Sequence, residues 1–211
     1  VAVLETIEPG HQLAMAYSNQ AQLDMLAYRA EVAVAWASRA VELARRLGDQ
    51  EALSHALTNI GSARLLRGDP GGRADLEQAF QVAVAAGLAD HAARAITNLA
   101  TNGVEMHLYR SAREDLDRAV TFVTGRELAG YAKHLLGNRA KLRLDQGDWH
   151  GAERDAMAAL TERGQAHIGM VDALVALARL QSRRGDPEAA ATLQEATERA
   201  HPSGELQWVG P

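Results

Sequence analysis

The chain has 211 residues, a formal net charge of −5 and no cysteine. The acidic balance argues against a dedicated nucleic-acid surface, and the lack of cysteine excludes disulfides and thiolate metal sites. Hydrophobic residues make up 47% of the sequence but aromatic residues only 4%, which favours helices packed through small side chains. No apolar run approaches the roughly 18 residues of a membrane span, so we expect a cytoplasmic protein without a membrane segment.

Apolar residues recur at three- and four-residue steps, which predicts amphipathic helices along the whole chain. Ile96, Leu99 and Ala100 mark one face of such a helix, and Leu116 and Ala119 mark one face of the next. We predict five helical hairpins in chain order. Their first helices cover residues 11–27, 51–67, 90–107, 129–146 and 167–184. Their second helices cover residues 31–47, 72–86, 111–124, 150–163 and 188–200.

Three series of markers share a period of about 40 residues, and such a period indicates tandem repeats. The first series is Asn19, Asn59, Asn98 and Asn138. The second is Gly48, Gly87, Gly125 and Gly164, which we expect to end the second helices. The third is the Gly-Asp pair at 68–69, 147–148 and 185–186. Gly can close one helix and Asp can cap the next, so the third series predicts a tight turn inside each hairpin.

The fourth unit gives the clearest match to a known repeat. Asn138-Arg139-Ala140 is followed by Gly147-Asp148-Trp149 and then by Ala152, Ala156 and Ala159. This pattern resembles the tetratricopeptide repeat. The first unit departs from it with Tyr28-Arg29 in place of Gly-Asp, and the fifth has Ala176 in place of the asparagine. The period is also longer than is usual for that repeat.

The resemblance implies an all-α, right-handed superhelical solenoid of about five tetratricopeptide-like helix-turn-helix repeats. We expect residues 1–211 to form a single repeat domain. Its repeats fall at about 11–50, 51–89, 90–128, 129–166 and 167–203, and 204–211 begins a continuing or capping segment that includes Trp208.

A narrower resemblance covers nearly the whole chain. The segments Leu13–Gln22, Arg94–Asn102, Arg183–Pro187 and Gly204–Pro211 are similar to the repeat region of LuxR/MalT-type bacterial transcriptional regulators. That resemblance implies an ATPase part and a helix-turn-helix DNA-binding part elsewhere in the same polypeptide.

The sequence holds no pattern typical of catalysis. It lacks a phosphate-binding Gly-Lys-Ser/Thr loop, a Gly-x-Ser-x-Gly elbow and a His-Glu-x-x-His pair. Its eight histidines include no pair three or four residues apart on one helix, the spacing that suits a metal. We therefore expect no enzyme activity, no cofactor and no metal site.

The asparagine series is the most informative polar feature, since asparagine is a poor residue for a helix interior. In tetratricopeptide-like repeats the first helices line the concave face, where an amide can donate to and accept from a peptide backbone. The candidate ligand-binding residues on this face are Asn19, Asn59, Asn98, Asn138, His55, Thr58, Ser62, Arg94, Thr97, Thr101, His134 and Lys141, and Ser18 lies beside them. The alternative is that each asparagine only ties one helix to the next.

The sequence thus predicts a non-catalytic interaction or sensor segment of a bacterial regulator, which binds a peptide, protein or small ligand. The alternative is a free-standing adaptor that assembles protein complexes. In either case the expected partner of this segment is a protein or a peptide, or, in the regulator, the ATPase and DNA-binding parts of the same polypeptide. We expect no direct nucleic-acid binding by this segment. Homodimer formation stays open.

Overall fold

The computed structural model describes residues 1–161 and 168–201, and within them the chain forms ten α-helices, two short 3₁₀ turns and no β-strand. The first helices of the hairpins are α1 (His11–Leu26), α3 (Gln50–Leu66), α5 (Ala89–Glu105), α7 (Ala129–Asp145) and α9 (Val171–Arg184). The second helices are α2 (Ala30–Leu47), α4 (Gly72–Ala85), α6 (Tyr109–Thr124), α8 (Trp149–Ala159) and α10 (Ala189–Ala200). The 3₁₀ turns are Leu4–Thr6 and Ile168–Met170.

The predicted hairpins are confirmed, and most helix ends lie within two residues of the predicted ones. The fifth hairpin differs most, because the turn Ile168–Met170 precedes α9 and the helix begins at Val171 instead of 167. The fourth ends early, since α8 stops at Ala159 instead of 163. The marker Gly164 and the segment 204–211 with Trp208 lie outside the described residues.

The turn inside every hairpin has one residue in the left-handed backbone region. These residues are Tyr28, Gly68, His107, Gly147 and Gly185, with φ between +56° and +82°. They follow one another at the repeat period, so Tyr28 and His107 take the conformation that glycine takes in the other three turns. Side chains with a Cβ pay a steric cost there.

Among the ends of α2, α4 and α6, two have a left-handed glycine and the third differs. Gly48 and Gly87 are left-handed, with φ of +67° and +72°. Gly125 is not, since its φ is −65° and the left-handed residue is Glu127 at +58°. Gly125 therefore follows the last residue of α6 as expected, but the chain turns two residues later, where Leu128 N–H donates to the carbonyl of Val123 at 3.0 Å.

The chain divides into two compact units, Val1–Asn102 and Gly103–Pro211. In the first unit α1 packs on α2 and α3, and α3 packs on α4. Buried alanines fill these contacts. At the crossing of α3 and α4 a Cβ on Gly61 would stand 2.7 Å from the carbonyl oxygen of Gly72, so only glycine permits this approach.

In the second unit α7 packs on α6, α8 and α9, and α9 packs on α10. Leu135, Leu142 and Leu174 are fully buried or nearly so. Gly137 again permits a close crossing, because its Cβ would stand 2.8 Å from the backbone nitrogen of Ala173. As a result α7 and α9, both first helices, lie side by side.

A series of aspartates on the second helices recurs at the repeat period, and the first and third of them tie the two helices of their hairpin together. Its members are Asp75, Asp115 and Asp155. Arg64 of α3 pairs with Asp75 at 2.6 Å. Arg139 of α7 holds both oxygens of the buried Asp155, at 2.8 and 3.0 Å. Bidentate arginine–carboxylate pairs are among the stronger polar contacts.

Candidate functional site

In the first unit the predicted site residues of α1, α3 and α5 come together around Asn59. The amide nitrogen of Asn59 donates to the backbone oxygen of Ser18 at 2.8 Å and to its hydroxyl at 3.0 Å. The amide oxygen of Asn59 accepts a short hydrogen bond from Arg94. Asn59 is fully buried. One amide therefore connects α1, α3 and α5.

His55 extends this network by one residue. The hydroxyl of Ser18 lies 2.7 Å from Nδ1 of His55. Burial, together with the charge of Arg94 and with His91, lowers the pKa of His55 to about 3. A neutral ring can accept at Nδ1, and the Ser18 hydroxyl, which already accepts from Asn59, is then free to donate to it. His55 thus acts as a buried hydrogen-bond acceptor near neutral pH.

A second set of contacts joins α3 to α5. Asn98 donates to the Ser62 hydroxyl at 3.2 Å, and Asn102 donates to the same oxygen at 3.4 Å. Asn102 also donates to the backbone oxygen of Asn98 at 2.7 Å. Ser62 and Asn102 are buried, while Asn98 is half-buried.

The predicted threonines differ in their accessibility. Thr58 is buried and donates to the backbone oxygen of Ser54 within α3 at 2.9 Å. Thr97 is also buried, and its hydroxyl has no hydrogen-bond partner among the described residues. Thr101 is half-buried, and Asn19 at the other end of the series is exposed. Accessible groups on this face of the first unit are therefore those of Asn19, Asn98 and Thr101, with part of Arg94.

In the second unit the predicted residues of α7 gather around Asp172 of α9. Asn138 donates to one oxygen of Asp172 at 3.0 Å, and Lys141 donates to the other at 3.0 Å. Nδ1 of His134 lies 3.3 Å from the same carboxylate. Asn138 also donates to the backbone oxygen of His134 at 3.1 Å. Three residues of one first helix therefore hold the next first helix through one carboxylate.

The charge of Asp172 is set by opposing effects. Burial alone would raise its pKa, but the hydrogen bond from His134 and the charge of Lys141 lower the pKa to about 2. Asp172 is consequently ionised at neutral pH and balances the charge of Lys141. Glu105, at the end of α5, lies in the same electrostatic field, and burial raises its pKa.

Asn59 and Asn138 thus do what the sequence alternative described, because each is buried and joins neighbouring first helices. The helix interior accepts them because each of these amides contacts a polar partner on the adjacent helix. Ligand binding by the accessible members of the predicted set stays a prediction. Within each unit, the buried members fix neighbouring first helices to each other.

The sequence analysis did not identify several residues of these sites, above all Asn102 and His91 in the first unit and Asp172 in the second. The ring of His91 lies 5.8 Å from that of His55, edge to face. The sequence offered one indication of a role for Asp172, namely its place as an acidic residue in the first turn of a helix, α9. Its partners could be recognised only once α7 and α9 were known to be adjacent.

A separate charged cavity of about 350 Å³ lies in the second unit beside α6 and α7. It is lined by Arg113, Asp117, Arg139, Leu142, Arg143, Gln146 and Asp148. Three arginines face two aspartates there, and Asp155 closes the ion pairs with Arg139 and Arg143 at 2.8 Å. The charges are balanced internally, so the cavity is a structural ion-pair network.

Within residues 1–161 and 168–201 no three His, Cys, Asp or Glu side chains are arranged to hold a metal ion. In the same part of the chain no helix has both the length and the apolar character needed to cross a bilayer.

Solved structures share the fold of this chain. A Rap protein crystallised in complex with competence and sporulation factor superposes with a TM-score of 0.76 at 14% identity. That alignment covers 99% of this chain and 59% of the Rap protein, so this chain spans less than two thirds of its length. BtubC from P. vanneervenii has a TM-score of 0.63 at 14% identity, with 92% of this chain and 91% of BtubC covered.

These likenesses establish the fold class as all-α, with tetratricopeptide-like helical repeats. No protein-family model matches the sequence, and no curated protein matches it either.

Proposed function

We propose that this chain is a non-catalytic segment that binds a peptide or protein partner on the faces of its first helices. The observation that carries the proposal is the difference in burial among the polar residues of these faces. Buried amides such as Asn59 and Asn138 fix neighbouring first helices, while Asn19, Asn98 and Thr101 keep polar groups accessible beside them. Polar side chains on neighbouring first helices of one unit suit recognition of an extended ligand.

The titratable groups on these faces support a binding role over a catalytic one. His55 is held by Ser18 and Asn59, and Asp172 is held by Asn138 and Lys141. A general base needs to reach a substrate proton, whereas these groups are engaged in contacts between helices. A Rap protein of the same fold is known in complex with competence and sporulation factor, which supports ligand binding as a use of this fold.

We further propose that the segment belongs to a cytoplasmic bacterial regulator of the LuxR/MalT type. In such a protein, ligand binding on the repeats would alter contacts with an ATPase part and a DNA-binding part of the same polypeptide. The full-length coding sequence tests this directly. Coding regions for an ATPase and for a helix-turn-helix on either side support the regulator, and a gene without them supports a free-standing adaptor.

The binding proposal is tested by selecting a displayed library of random dodecapeptides on the immobilised chain. Selected peptides should lose affinity at least about tenfold, roughly 1.4 kcal/mol, when Asn98→Ala and Thr101→Ala are combined. The matched control changes two exposed second-helix residues, Gln78→Ala and Glu114→Ala. It should bind as the unmodified chain does.

Circular dichroism separates loss of binding from loss of fold. A folded Asn98→Ala/Thr101→Ala chain that binds every selected peptide at full strength would contradict the proposed face. Equal losses in the second-helix control would contradict it as well.

A further inference from the structure

The residues before α1 are attached to the first hairpin through a carboxylate. The 3₁₀ turn Leu4–Thr6 contains no buried residue. Its neighbours Val3 and Ile7 are 79% and 60% exposed. Glu5 in this turn contacts Arg39 of α2 and Tyr17 of α1. The turn therefore buries little apolar surface, and the hydrogen bonds of Glu5 are its main polar contact with the hairpin.

The groups that contact this carboxylate are also held by aromatic stacking within the hairpin. The guanidinium carbon of Arg39 lies 4.1 Å from the ring centroid of Tyr17 and 4.7 Å from that of Trp36. The two ring centroids are 5.6 Å apart. A guanidinium stacked on aromatic faces loses little further freedom when it binds an anion. Tyr17 is itself buried, so its hydroxyl also has a set position.

Two donors converge on one oxygen of Glu5. Nη2 of Arg39 donates at 2.6 Å, and the hydroxyl of Tyr17 donates at 2.9 Å. Nη2 of Arg39 also donates to the Tyr17 hydroxyl at 2.7 Å, which orients that group. The hydrogen bonds from Arg39 and then Tyr17 lower the pKa of Glu5. The arrangement is complementary to an ionised carboxylate.

The bound carboxylate is open to exchange. The side chains of Arg39 and Glu5 are 47% and 38% exposed, so a second carboxylate can approach the guanidinium from solvent. Exposed ion pairs of this kind contribute little to stability. The turn that carries Glu5 contains no buried residue of its own.

We propose that Arg39, Tyr17 and Trp36 form a carboxylate-binding site on the first hairpin, which a glutamate or aspartate side chain of a protein partner occupies in place of Glu5. The site is distinct from the polar faces described above, since its donors are Arg39 of α2 and Tyr17 of α1, neither of which belongs to those faces. Glu5 acts as an internal competitor that weakens the binding of acidic partners.

The test uses the full chain and a probe built from its own residues 1–7, the peptide Val-Ala-Val-Leu-Glu-Thr-Ile with both ends blocked. The control peptide has glutamine in place of glutamate. Binding is followed by the NMR signal of the Trp36 indole N–H, identified with a Trp36→Phe chain. Because Glu5 competes at high effective concentration, the Glu5→Gln chain should bind the glutamate peptide about tenfold more tightly than the unmodified chain.

Two further variants separate the site from nonspecific attraction. Adding Tyr17→Phe to Glu5→Gln keeps the ring but removes one donor, and it should weaken binding about fivefold to tenfold. Adding Arg39→Lys keeps the charge but removes the planar stacked group, and it should weaken binding at least as much. The proposal is overturned if the Glu5→Gln chain binds both peptides equally, or binds neither.

Discussion

Replacement of Asn59 by alanine tests most sharply what the asparagine series does for the fold. The change removes donation to the backbone and hydroxyl oxygens of Ser18, at 2.8 and 3.0 Å, and removes the acceptor for Arg94. A neutral hydrogen bond contributes about 0.5–1.5 kcal/mol and one to a charged group about 1.5–3 kcal/mol. Because such contributions from one side chain are not additive, we expect the free energy of unfolding to fall by about 2–4 kcal/mol.

The matched control is Asn19→Ala, since Asn19 occupies the same place in the sequence series but is exposed. A surface change of this kind should alter the free energy of unfolding by less than about 0.5 kcal/mol. Urea unfolding followed by circular dichroism at pH 7 measures both, with the m-value as a check that the same surface is exposed. If Asn59→Ala unfolds within about 0.5 kcal/mol of the unmodified chain, the assignment of Asn59 as a tie between helices is refuted.

Three further predictions concern pH and backbone strain. The pKa of His55 is near 6.5 in the unfolded chain but about 3 in the folded chain, because burial and then the charges of Arg94 and His91 disfavour the protonated ring. Below pH 6.5 the unfolded chain therefore binds a proton at His55 that the folded chain does not bind, and the free energy of unfolding should fall by up to about 1.4 kcal/mol per pH unit. His55→Gln should make the free energy of unfolding depend less steeply on pH in this range. Asp172 contributes stability above pH 3.8 that is lost as pH falls through about 2. The stability advantage of the unmodified chain over Asp172→Asn should therefore narrow across that range, and an unchanged difference would argue against the ion cluster. A Cβ on Gly68 meets nothing within 4 Å, so Gly68→Ala should lower the free energy of unfolding by about 1 kcal/mol through backbone strain alone. Tyr28→Gly should leave the free energy of unfolding unchanged or raise it by about 0.5 kcal/mol, as measured by urea unfolding. The opposite order of the two effects would refute the shared turn conformation.

The hairpins could be predicted from the sequence because they depend on local information. Apolar spacing sets the helices, and Gly68 or Gly147 sets the turn between them. The exception at Gly125 shows the limit of this information. The left-handed residue there is Glu127. Unlike glycine, glutamate has no preference for that conformation, so the sequence does not predict it.

The candidate site could be predicted only in outline. The register of Asn59 and Asn138 indicated that these residues have a role, and the structure shows that they are buried against adjacent first helices. Whether an amide faces a ligand or a neighbouring helix depends on how closely two helices approach. That distance is set by small residues such as Gly137 and by the partner, here Asp172, on a helix distant in the sequence.

The carboxylate contact before α1 was also beyond reach of the sequence. Glu5 and Arg39 are far apart in the sequence, and neither belongs to a marker series. The rings of Tyr17 and Trp36 pack against each other within the hairpin, and in addition they position a guanidinium.

Hydrogen–deuterium exchange of the full chain, with and without a peptide selected on it, tests the central claim most directly. If the first helices carry the binding face, the peptide should slow exchange in α3, α5, α7 or α9 and leave the second helices α4, α6 and α8 unchanged. Protection confined to the second helices would contradict the account, because the partner would then bind away from the faces that the buried asparagines fix.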